Sequence, residues 1–103
     1  MTTAEEVKEI TEAIRATISN STASMDIDEG DDRHIWWFDV YVGHHHIPID
    51  WHPVRKNFGI SLIDTRPGMN DVTPFDYSDF YVDTLEEMLV ILRDNLKKTH
   101  NDR

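Results

Sequence analysis

The stretch Trp36-Trp37-Phe38-Asp39-Val40-Tyr41-Val42-Gly43-His44-His45-His46-Ile47-Pro48-Ile49-Asp50-Trp51 decides the fold. Side chains alternate between the two faces of a strand. Trp36, Phe38, Val40 and Val42 therefore share one face, with Trp37, Asp39 and Tyr41 on the other. After Gly43-His44, residues His45, Ile47, Ile49 and Trp51 alternate with His46, Pro48, Asp50 and His52. A two-residue turn with glycine first suits type II′. It pairs Val42 with His45, Val40 with Ile47, Phe38 with Ile49 and Trp36 with Trp51. Every apolar residue then meets an apolar partner, apart from His45 beside the turn. A slip of one residue would undo the match.

A third strand follows at 58–64. A loop of Val54-Arg55-Lys56-Asn57 would pair Trp51 with Ile60 and Ile49 with Leu62, adding Phe58, Ile60 and Leu62 to the apolar face. Pro48 has no N–H to offer this strand, so a parting or bulge is expected near Ile63.

Helices flank the strands. Val7, Ile10, Ile14 and Ile18 form one stripe at helical spacing, and Thr3 with Glu6 fits a capping box. Leu85, Met88, Leu89, Leu92 and Leu96 form a second stripe, with Thr84 and Glu87 as its capping box. One apolar sheet face and two amphipathic helices predict a two-layer α+β sandwich of order α-β-β-β-α. Both helices pack on that face, and residues 1–103 form one domain. The segment 19–32, rich in Ser, Thr and Asp, reads as the most mobile.

Composition narrows the function. The 103 residues carry 20 acids and 10 bases, a net charge of −10. Binding to a nucleic-acid backbone needs clustered Lys and Arg, so it is disfavoured. The acids concentrate at the two ends, nine against three bases in residues 1–33 and eight against four in 67–103. There is no cysteine, which excludes disulfides and thiolate chemistry and suits a reducing compartment. No secretory signal and no long apolar run is evident, so a cytoplasmic protein without membrane attachment is expected.

Chemistry-bearing motifs are weak. His44 and His46 share a face and could hold Zn²⁺, with Asp39 as the best third ligand, but turn and hairpin histidines are the better reading. A calcium loop counted from Asp26 fails, because Asp31 and Trp37 stand where glycine and glutamate are required. Ser61, His52 and Asp50 could be drawn as a triad, but a flat sheet face gives no water-excluding site. No enzyme, no metal and no cofactor is expected.

The remaining signal lies in the long connection 65–83 and on the second sheet face. There Phe75, Tyr77, Phe80 and Tyr81 alternate with Asp71, Asp76, Asp79 and Asp83. Aromatics interleaved with acids suit a protein interface. The reading is a small acidic protein-binding module, of inhibitor or immunity type, directed at a basic partner. Its contact residues would be Asp71, Asp76, Tyr77, Asp79, Phe80 and Tyr81, with Trp37 and Tyr41 on the sheet face. The alternatives are a small-ligand or metal-binding protein using the histidine hairpin, and a homodimer joined through the second face.

Overall fold

A computed structural model describes residues 1–68 and 79–101, with side chains through Thr99. The elements are α1 (Thr3–Ile18), β1 (Ser24–Asp28), β2 (Trp36–Val42), β3 (His45–His52), β4 (Asn57–Ile60), β5 (Ile63–Asp64), β6 (Phe80–Val82) and α2 (Leu85–Asn101). The fold is α+β, with both helices on one face of an antiparallel sheet. The sheet is wider than a three-stranded meander. Its order among the described residues is β1-β2-β3-β4-β6, and β5 also pairs with β3.

The central hairpin has the register its apolar pattern demands: Trp36 opposite Trp51, Phe38 opposite Ile49, Val40 opposite Ile47 and Val42 opposite His45. Gly43 takes φ +56 while His44 stays out of the positive region, as a type II′ turn requires. Phe38, Val40, Ile47, Ile49 and Ile60 are fully buried beneath Ile10 and Ile14 of α1 and Met88 and Leu92 of α2.

Four expectations need correction. The cap of α1 is Thr2 rather than Thr3. Thr2 is extended, its Oγ1 accepts from Glu5 N at 3.2 Å, and Glu5 replaces Glu6 in the box. Glu6 is thereby free to meet Lys56 Nζ at 2.8 Å, which ties α1 to the β3–β4 loop.

The segment 19–32 contains strand β1, paired with β2 from Ser24↔Tyr41 to Asp28↔Trp37. Ala23, Met25 and Ile27 pack against the core while Ser24, Asp26 and Asp28 are exposed. Acidic residues along one face discourage further pairing at this edge.

The β3–β4 register is shifted by two residues, with Ile49 opposite Ile60 and Trp51 opposite Phe58. A shift of two preserves the faces. The loop becomes 53–56, closed by Lys56 N donating to His52 O at 2.7 Å with Lys56 at φ 59. A lysine in the left-handed region is uncommon, which hides this loop from sequence reading. Pairing with β3 breaks opposite Pro48 as its missing N–H demands, but at Ser61 and Leu62 rather than near Ile63. Ser61 N still donates to Pro48 O at 3.2 Å, and β5 then resumes opposite His45 and His46.

Finally, residues 80–82 form β6, paired with β4 through Phe58↔Val82, Gly59↔Tyr81 and Ile60↔Phe80. In α2 the deepest residues are Met88 and Leu92; Leu89 is only half-buried. Thr84 caps this helix as its spacing predicts, accepting from Glu87 N at 3.1 Å. No helix among the described residues is long and apolar enough to cross a membrane.

Candidate functional site

The helices cover one face of the sheet, so the other face and the β6 edge are where a site can lie. Strand pairing assembles the second face in rows. One row runs Asp28, Trp37, Asp50, Gly59, Tyr81 across all five strands of the sheet path. It sets Trp37 and Tyr81, 44 positions apart in sequence, in one row three strand spacings (roughly 14 Å) apart. A neighbouring row holds Asp26, Asp39 and Pro48, and the next Ser24, Tyr41, His46 and Ile63.

Two histidine–carboxylate pairs stand on this face. His46 Nε2 donates to Asp39 Oδ1 at 2.7 Å, and the His46 ring stacks on Tyr41 with centroids 4.7 Å apart. His52 Nε2 donates to Asp50 Oδ2 at 2.6 Å. Asp50 is only 3% exposed, so the bond to His52 compensates part of the cost of burying its carboxylate. Residues two apart on a strand point the same way, roughly 6.6 Å apart, which a histidine side chain can bridge. Burial raises the Tyr41 phenol above its ordinary value of 10, and the carboxylates of Asp39 and Asp26 add to the effect.

The face is therefore less open than its composition suggests. Pro48, Asp50 and Ser61 are buried, whereas Tyr41 is 40% exposed and Trp37 half-buried. Ser61 stands beside Pro48 rather than beside His52, which is opposite Asn57, and its Oγ accepts from Asp79 N at 2.9 Å. Asp39 is the carboxylate nearest His46, as the diagonal placement predicts. Among the described residues, however, no three His, Asp or Glu side chains converge as metal ligands. His44 lies in the turn, and its carbonyl accepts from Thr65 N at 2.7 Å and Thr65 Oγ1 at 2.8 Å.

His45 falls on the core side, buried, with Nε2 3.9 Å from Asp64 Oδ2. Arg66 clasps Asp64 through Nε at 2.9 Å and through Nη2, and its backbone N–H donates as well. These bonds hold the Asp64 carboxyl well below the usual carboxylate range. Sequence reading missed this cluster, because it depends on β5 returning to pair with β3.

At the β6 edge, Phe80 and Tyr81 are 54% and 55% exposed. Exposed Asp79 and Asp83 flank them, with exposed Glu86 and Glu87 in the first turn of α2. Asp79 also supports the fold, since its Oδ2 accepts from Leu62 N at 3.3 Å and latches β6 to the β4–β5 connection. Asp71, Asp76 and Tyr77 lie outside the described residues. Comparison with family models, curated proteins and solved structures gives no significant match.

Proposed function

We propose that this chain is a small acidic protein-binding module, of inhibitor or immunity type, whose contact surface centres on the β6 edge. The observation that carries the reading is the pair of half-exposed aromatics Phe80 and Tyr81, on opposite faces of the edge strand β6, between the exposed carboxylates of Asp79 and Asp83. Aromatic side chains are the commonest interface anchors, because they bury large area with few rotors. Tyr81 lies in the same cross-strand row as Trp37, so the surface extends from the edge onto the second face towards Tyr41. The net charge of −10 favours a basic partner and speeds its approach.

The test is affinity capture from a lysate of the native host with the wild-type chain and with Phe80→Ser/Tyr81→Ser, after the variant is shown to fold. A protein of net positive charge, retained by the wild type at low salt and lost with the variant, is the expected result. Retention of the same protein by both chains places the contact elsewhere and removes the basis of the reading.

A further inference from the structure

Two arginines from different loops, one before β2 and one after β3, line a common cleft. Arg33 and Arg55 are exposed, and neither makes an ion pair among the described residues. Both line a cleft of about 470 Å³ between the β1–β2 connection and the β3–β4 loop. The nearby basic side chains are treated differently. His34 Nδ1 lies 2.7 Å from Asp31 Oδ1, His52 is bonded to Asp50, and Lys56 is paired with Glu6.

The cleft is built rather than incidental. Asp31 Oδ1 accepts from the backbone N–H groups of Arg33 and His34, both at 2.8 Å, and Asp31 O accepts from Trp36 Nε1 at 3.0 Å. Gly30 closes the same loop against the carbonyls of His34 and Ile35, leaving no room for a Cβ. On the opposite wall, Pro53 is buried and Lys56 N closes the loop on His52 O. The apolar lining comes from Ile35, Pro53 and Val54, of which Ile35 and Val54 are exposed.

From this geometry we infer that the cleft binds a small organic anion: a carboxylate or phosphate group held by Arg33 and Arg55, with an apolar body against Ile35 and Val54. The guanidinium fork matches both anionic groups. The volume lies within the roughly 300–1,000 Å³ of small-molecule sites, and an apolar wall with few polar groups is their usual lining. The chain's overall negative charge does not forbid this. At physiological salt the Debye length is about 8 Å, so distant acids are screened, and the Asp31 carboxylate in the same loop is taken up by the backbone N–H groups of Arg33 and His34.

Phenyl phosphate is the probe, with inorganic phosphate and phenol as controls, followed by ¹H–¹⁵N chemical shifts of the full chain. Saturable shifts confined to residues 33–35, 52, 54 and 55 are expected with phenyl phosphate, and weaker binding with either control. Inorganic phosphate binding as tightly as phenyl phosphate would remove the apolar half of the inference; phenol doing so would remove the ionic half. Arg33→Ala/Arg55→Ala should weaken phenyl phosphate by roughly tenfold or more, as expected for loss of charge-assisted hydrogen bonds. Arg15→Ala/Arg93→Ala makes the same change in net charge away from the cleft and should leave affinity intact. Equal weakening in both double variants, or no saturable shift in the wild type, overturns the inference.

Discussion

At the scale of single residues, Gly30 and Asp64 show how little of the local physics is visible in composition. Gly30 occurs in an acidic run that reads as a solvated turn. In the structure a Cβ there would lie 2.3 Å from His34 O and 2.4 Å from Ile35 O. Both are backbone atoms, so the loop itself would have to move. Gly30→Ala should therefore cost about 1–3 kcal/mol, the usual range for overpacking, in denaturant unfolding. Asp64 gives a prediction in pH. Its folded pKa lies below the ordinary 3.8 because Arg66 hydrogen-bonds the carboxylate. A depressed folded value means stability that is present above the unfolded pKa and drains as pH falls. Asp64→Asn should consequently flatten the loss of stability below about pH 4, relative to its own stability at neutral pH. An unchanged acid limb would show that the Arg66 clasp does not favour folding.

Elements differ in how far they can be read from sequence, for physical reasons. The β2–β3 hairpin was legible because both strands alternate strictly and Gly43 supplies the turn, so only one register buries all the apolar residues. The stripes of α1 and α2 were legible for the same reason, a repeat longer than two turns. Strand β1 is harder, because Met25 and Ile27 are interrupted by acids that belong on an outer face. Strand β6 has three residues, too few for a period, and owes its existence to pairing with β4. The candidate site inherits that difficulty. Phe80 and Tyr81 could be picked as recognition residues from their acidic neighbours, whereas the row joining Tyr81 to Trp37 follows only from the β4–β6 register. The latch holding β6 is testable. Ser61→Ala removes the acceptor of Asp79 N and should cost about 0.5–1.5 kcal/mol. Hydrogen exchange at Tyr81 and Val82 should quicken, with the central hairpin unaffected, because local opening follows local hydrogen bonding. Uniform acceleration across the sheet would mean that β6 and the hairpin open as one unit.

For the whole molecule, charge and shape divide the labour. One face of the sheet is committed to the helices, and its core is closed by Phe38, Ile14, Met88 and Leu92. Most acids lie at the surface, on α1, on β1, on either side of β6 and in the first turn of α2, whereas Asp50 is buried. Isolated surface charges contribute little to stability, so these acids can be neutralised at small cost to folding. Long-range steering and contact affinity then separate in kinetics: charge acts on the association rate, anchors on dissociation. The most direct measurement is the association rate constant of the captured basic partner with the wild type and with Asp83→Asn/Glu86→Gln, at low and at high salt. Both substituted residues are exposed and flank the aromatic edge. The account predicts a slower association for the variant at low salt, converging with the wild type near 1 M, where the Debye length is about 3 Å. A wild-type rate that is independent of salt and equal to the variant's would contradict it.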